Sequence, residues 1–157
     1  MDKGKEFEEI TAELYEKAGW RTETRKTMKG RSGAVHQIDV YGEKGKVRKK
    51  RFFAECKFRE TSDKVRKSHL ANFLLKLDDI DMKVDAYIVT NSDFSSYAIQ
   101  TAEVYDIKLV DRTQLYRLLN KYGMQRQLEF IEAYQQSPLS KAVIETIDIL
   151  GELGILK

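Results

Sequence analysis

Residues 52–60 read FFAECKFRE, and the reading of this stretch decides the fold. In an extended strand alternate side chains point to opposite faces, so Phe53, Glu55 and Lys57 share one face and Phe52, Ala54, Cys56 and Phe58 the other. An acid and a base therefore stand about 7 Å apart along one side of an otherwise apolar strand. Two readings are open: a solvated ion pair on the polar face of an amphipathic strand, or half of a catalytic site.

The preceding strand narrows the choice. Residues 35–41, VHQIDVY, also alternate, with Gln37, Asp39 and Tyr41 on one face and His36, Ile38 and Val40 on the other. The GEKGK that follows at 42–46 reads as a hairpin turn, so a strand over 47–58 returns antiparallel. Asp39 and Glu55 then come onto the same face of neighbouring strands, where opposed side chains sit about 5 Å apart. Two carboxylates that close repel, and Lys57 offers one positive charge against two negative ones. A divalent cation bound by hard oxygen donors, Mg²⁺ or Mn²⁺, resolves the imbalance. Such a site suits phosphodiester hydrolysis, with Asp39 and Glu55 holding the ion and Lys57 orienting water or stabilising the phosphorane charge. Glu8, near the N-terminus, is a further acid able to close the site, and a first-turn glutamate favoured by the helix dipole is the competing reading of it.

Outward from this centre the chain alternates helices and strands. Phe7, Ile10, Leu14 and Ala18 recur at helical spacing before Gly19, predicting a helix over 4–18. WRTETRK at 20–26 reads as a strand and MKGRSG as a loop; a helix over 64–77, a buried strand VDAYIVT at 84–90, a helix over 94–105, a short strand IKLV at 107–110 and a helix over 113–121 follow. The order α-β-β-β-α-β-α-β, with a meander followed by crossovers, predicts an α/β fold with a mixed sheet flanked by helices. From residue 123 the character changes to a helical extension: Leu128, Phe130, Ile131 and Tyr134 mark one helix, Pro138 a break, and Leu139 to Leu150 another. That extension is expected to dock on its own domain or, as the alternative, to form a homodimer.

Composition bounds the function. The 157 residues carry a net charge of +3, but residues 1–20, 21–70 and 71–157 carry −3, +10 and −4. The run KGKVRKKR at 44–51 has six basic residues in eight, a density that fits a phosphate-contacting loop or, more plainly, a solvated hairpin tip. Lys44, Lys46, Arg48, Lys49, Lys50 and Arg51, with Arg59 beyond the strand, are the candidate DNA contacts. A single cysteine, Cys56, excludes an internal disulfide and a cysteine-built zinc site. No apolar run is long enough to span a membrane and the N-terminus is charged, so a cytoplasmic, soluble protein without a membrane partner is expected.

The segments GKEFEEITAELYEKAGW, HQIDVYG and FFAECKF, in that order, resemble the PD-(D/E)xK, restriction-endonuclease-like nuclease core, with its helix glutamate, strand aspartate and ExK. YIVTNSDFSSYAIQTAEVYDIKLVDRTQL resembles the second half of Mrr-like restriction endonuclease domains. The resemblance covers roughly residues 4–120 and implies a nuclease-like domain over 1–122 followed by the 123–157 extension. Carried onto this chain, it implies Asp39 and Glu55 as metal ligands, the backbone carbonyl of Cys56 as a further ligand, Lys57 as the catalytic lysine and Glu8 as the supporting acid. Two positions depart from the Mrr pattern: Glu55 stands where Gln is usual in Gln-x-Lys, and Gln37 where Gly is usual in Gly-Ile-Asp. The ExK form, and Lys3-Gly4, are closer to archaeal Holliday junction resolvases.

The remaining polar residues carry weaker readings. Gln37 and Tyr41 share the predicted face of Asp39 and are candidates for the metal's surroundings or DNA, with plain sheet surface as the equal alternative. Ser32, in the loop before the aspartate strand, is a candidate phosphate contact. His36, on the face opposite Asp39, is expected in the core or in a supporting role behind the site rather than as a base, and His69 is expected in solvent. The leading expectation is a metal-dependent DNA endonuclease; a junction-specific resolvase and a DNA-binding module that has lost cleavage are the alternatives.

Overall fold

A computed structural model describes residues 1–60, 63–134 and 146–154. Helix α1, Lys3–Lys17, begins where the Asp2 carboxylate accepts from the Lys5 amide at 3.1 Å and ends before Gly19, whose φ of +102° reverses the chain. The strands are β1 (Arg21–Lys29), β2 (Val35–Lys44), β3 (Lys50–Lys57), β4 (Asp85–Thr90) and β5 (Ile107–Val110); helices α2 (Lys67–Ile80), α3 (Ser96–Val104), α4 (Arg112–Lys121) and α5 (Gln125–Tyr134) complete the order. The five strands form one sheet in the order β1-β2-β3-β4-β5, antiparallel from β1 to β3 and parallel from β3 to β5. The expected mixed sheet between helices is therefore present.

Each face of the sheet carries its own core. On one side Phe7, Ile10 and Leu14 of α1 pack with Val40, Phe52, Ala54, Leu115, Leu119, Leu128 and Ile131. On the other, Leu70 and Phe73 of α2 and Ala98 and Ala102 of α3 pack with Ile38, Tyr41, Phe53 and Ile88. The small residues of α3 let its backbone approach closely. Helix α5 belongs to the α1 core, so the extension expected from residue 123 begins inside the packed domain. Pro138 and most of the second predicted C-terminal helix lie outside the described residues; 146–152 is helical.

Several boundaries differ from the sequence reading for identifiable reasons. Strand β1 runs on to Lys29, and β2 runs through Gly42 to Lys44, so the turn falls at 45–49 rather than 42–46. Gly42 is not a turn residue: a Cβ there would meet the Phe52 ring at 2.0 Å, so glycine lets that ring lie on the β2 backbone. Helix α2 starts at Lys67, after an extended Arg66, instead of at residue 64.

The face assignments of β3 hold, but those of β2 change part-way. Ile38 and Tyr41 share the α2 core while Val40 joins the α1 core; strict alternation would put Ile38 with Val40. The switch falls at Asp39, and on β1 the facing Arg25 has φ +51°. Thr24 and Arg25 both reach glutamates of α1, so both strands change face at the same level. Tyr41 is thereby in the core, not on the face shared with Gln37.

Candidate functional site

Strand β2 pairs with β3 only from Val40↔Ala54 toward the hairpin, and the two strands part at Asp39. At this fork the Asp39 Oδ2 accepts a hydrogen bond from the Cys56 amide at 2.9 Å. The bond satisfies an N–H the parting ladder leaves unpaired and fixes the carboxylate beside Glu55, to which it is hydrogen-bonded. The Glu55 side chain is 12 % exposed, and Lys57 Nζ lies 4.0 Å from its Oε1. The three strand residues expected at one point are thus brought together. Burial, then the hydrogen bond and charge of Asp39, push the Glu55 carboxyl up to about 7, against the pull of Lys76 and Lys57.

Glu8 approaches from α1. Burial first, and then the charge of Asp39, raise its pKa, while Arg25 at 3.3 Å lowers it. Arg25 also holds Glu9 at 2.6 Å. Glu8 is therefore beside the acidic fork and already engaged by a cation.

Lys76 of α2 was not legible as a site residue. Its Nζ donates to the Gln37 carbonyl at 2.8 Å and to Glu55 Oε2 at 3.3 Å. Only the placement of α2 against the sheet brings it there; its sequence position between Leu75 and Leu77 reads as an ordinary solvated lysine. The end of β3 is held from the next strand: Thr90 Oγ1 donates to the Lys57 carbonyl at 2.7 Å, and the Asn91 side chain accepts from the Arg59 amide and donates to the Arg59 carbonyl at 2.7 and 2.8 Å.

Other expected participants lie elsewhere. Ser32 donates to Asp79 Oδ2 at 2.7 Å and His36 Nε2 lies 2.6 Å from the same oxygen, so both belong to a β2–α2 tie and His36 is not a core residue. The His36 and Ser32 hydrogen bonds hold the Asp79 carboxyl down at about 2. His69 is not free in solvent: Arg59 contacts its Nε2 at 2.8 Å, and burial followed by Arg59 and Lys57 lowers its pKa. The Cys56 thiol is buried among α1-side residues, where burial raises its pKa. Of the basic run, Lys49 and Arg51 pair with Glu43 at 4.0 and 3.4 Å and Lys44 lies over the Trp20 ring at 5.5 Å. The hairpin tip is at the opposite end of β3 from Lys57, about 23 Å away by strand rise.

A family model described as restriction endonuclease, Mrr_cat, matches residues 1–119. The chain belongs to this Mrr-type restriction endonuclease family. Among solved structures it is similar to a protein of unknown function, AF1548, with 24 % identity and a TM-score of 0.69, covering 76 % of this chain and 66 % of that one. It also resembles AspBHI, a DNA modification-dependent restriction endonuclease (18 % identity, TM-score 0.57, 82 % of this chain and 33 % of the other). MspJI, a restriction endonuclease solved with a 27-mer oligonucleotide, matches at 15 % identity and a TM-score of 0.51 over 85 % of this chain and 32 % of its own. The chain thus spans about two thirds of the first structure and one third of the two restriction endonucleases, and these likenesses establish a shared fold. No curated protein matches the chain. Among the described residues no helix is long and apolar enough to cross a membrane.

Among the described residues no group of three or more His, Cys, Asp or Glu side chains is arranged to hold a metal ion. The donor set nevertheless fits a hard divalent cation: two adjoining carboxylates, one of them partly buried and raised to about 7 by that burial and then by the other, with backbone oxygen and water to complete the shell.

Proposed function

We propose that this chain is a Mg²⁺- or Mn²⁺-dependent DNA endonuclease that hydrolyses phosphodiester bonds at the β2–β3 fork. The observation that carries the reading is the meeting of Asp39, Glu55 and Lys57 at one partly buried point, within a nuclease family. Asp39 and Glu55 would hold the ion, and the Cys56 carbonyl would offer a third oxygen. When bound, the ion supplies charge neutralisation and Lewis-acid polarisation of the phosphoryl group.

The protein's own residues do the rest. Lys57, beside Glu55, places its positive charge where it stabilises negative charge developing on the phosphoryl oxygens. Lys76 offsets the charge of Glu55 on its other oxygen and ties β2 to the site through Gln37. Glu8 adds an acid from the α1 side.

Plasmid nicking tests this directly. Nicking is expected with Mg²⁺ or Mn²⁺ and not with a chelator, and Glu55→Gln and Lys57→Ala are expected to abolish it while DNA affinity persists. Cleavage that persists at the wild-type rate in both variants overturns the assignment. No nicking by the wild-type chain with either ion, but retained DNA binding, favours the binding-only module; a panel of linear, single-stranded, flap and four-way substrates identifies a junction preference.

A further inference from the structure

We propose that the groove between the first turns of α2 and α3 binds a single-stranded segment of DNA next to the cleavage point. Its phosphates lie on Lys64, Arg66 and Lys67, and a base stacks on Tyr97. This rests on the endonuclease reading and deepens it by naming the form of DNA and its seat.

The groove has a volume of about 610 Å³ and is lined by Lys64, Arg66, Lys67, Ser68, Ser95 and Tyr97, which is room for a nucleotide-sized group. Its walls are stitched together by a bridge between Val65 and Phe94 and by the Ser95 amide donating to the Val65 carbonyl at 2.9 Å. Lys64, Arg66 and Lys67 are exposed and make no ion pair among the described residues, unlike Arg59 with Asp63 at 3.7 Å or Lys76 with Glu55 at 3.3 Å. Three unmatched cations around one concavity attract a polyanion. The Tyr97 ring is 70 % exposed, and no other ring packs on it among the described residues. Cations that track a backbone beside an open aromatic face are the elements of single-strand recognition, because every base offers a π-face.

Position ties the groove to the fork. Strands β3 and β4 run parallel with Lys57 opposite Thr90, so the segments leaving both strands emerge at one edge of the sheet. The Arg66 amide donates to His69 Nδ1 at 3.0 Å, and His69 meets Arg59, two residues beyond Lys57. The groove is thus linked to the lysine of the site through His69 and Arg59, and in the proposal a strand seated in it continues toward Asp39 and Glu55.

The test measures binding of the full chain to labelled single-stranded and duplex oligonucleotides by fluorescence anisotropy, in chelator, over a range of salt. Three variants are compared with wild type: Lys64→Gln/Arg66→Gln/Lys67→Gln in the groove, Tyr97→Ala, and Lys46→Gln/Arg48→Gln/Lys50→Gln on the hairpin. The groove variant is expected to lose roughly tenfold or more in single-strand affinity, with a salt slope shallower by about 2. Tyr97→Ala is expected to weaken single-strand binding roughly fivefold or more and duplex binding less. The hairpin variant is expected to change single-strand binding less than the groove variant. If the triple groove variant melts below wild type, the exposed pair Lys64→Gln/Lys67→Gln carries the same comparison. Wild-type affinity and slope in the groove variant overturn the inference while leaving the nuclease reading intact; absence of DNA binding by the wild-type chain overturns both. Equal losses on single strand and duplex in Tyr97→Ala overturn the stacking.

Discussion

The two ends of β3 differ in charge density in the sequence, dense cations at the hairpin end and balanced charges at the other, and stand in opposite physical situations in the fold. At the hairpin end, cations are dense but solvated or spoken for: Val47 at the tip is 97 % exposed, Lys49 and Arg51 share Glu43, and Lys44 lies on Trp20. At the other end a few charges meet under partial burial, and Glu55 is displaced to about 7. Exposed pairs in water are worth little; the same charges at a buried fork alter protonation and can bind an ion. A run of lysines in a sequence thus reports local density, whereas functional charge depends on which residues the topology brings together.

The sharpest way to break this contrast is kinetic. Removing the Lys57 charge or neutralising Glu55 is expected to lower the nicking rate by about 10² to 10³-fold, the loss that follows removal of a preorganised charge from a transition state. Arg48→Ala at the hairpin tip is expected to leave the rate within about twofold, because it lies some 20 Å from the fork. A hairpin substitution that slows nicking as much as Lys57→Ala would erase the distinction between the ends.

The same contrast predicts a stability effect of the opposite sign. The folded pKa of Glu55 is raised from 4.5 to about 7, so its favourable contribution is complete below pH 4.5 and is lost as pH rises through 7. Without metal, Glu55→Gln removes that penalty and should stabilise the chain at pH 8 by up to about 3 kcal/mol, several degrees in Tm, with little effect at pH 4. Thermal melts in chelator at the two pH values measure it. An equal shift at both would mean that ionisation of Glu55 is not what strains the site.

How far the sequence reveals this arrangement follows from which rules are local. Alternation along FFAECKF correctly separates Phe53, Glu55 and Lys57 from Phe52, Ala54 and Cys56, because β3 is flanked on both sides and stays regular. The same rule fails on β2, where Asp39 faces Arg25 at a shared change of face and so touches both Glu55 and the α1 side. Lys76 is hidden for another reason: its role depends on α2 lying across β2 and β3, which no neighbouring residue encodes. Gly42 reads as a turn because glycine often marks one, while here it makes room for Phe52.

Gly42 supplies the test at the hairpin end. Alanine there would place its Cβ 2.0 Å from the Phe52 ring, and that ring also packs with Tyr15 at 4.4 Å and Trp20 at 4.9 Å between centroids. Gly42→Ala is expected to destabilise by about 1–3 kcal/mol through overpacking, seen as a lower denaturation midpoint, with nicking by the folded fraction unchanged. A rate loss greater than the loss of folded protein would mean that packing at this end is coupled to the fork.

Lys76→Met is expected to have the smallest effect and to sharpen the comparison most finely. Its ammonium is one of two that lower the Glu55 pKa, so its removal should move that pKa further up. Glu55 would then hold its proton over more of the neutral range, and a proton competes with the cation for the same oxygens. The expected result is an alkaline displacement of the pH–rate profile, with a modest loss at pH 7 that disappears by pH 9. An equal loss at every pH would instead assign Lys76 to holding β2 in place through the Gln37 carbonyl, because a positional role does not titrate with Glu55.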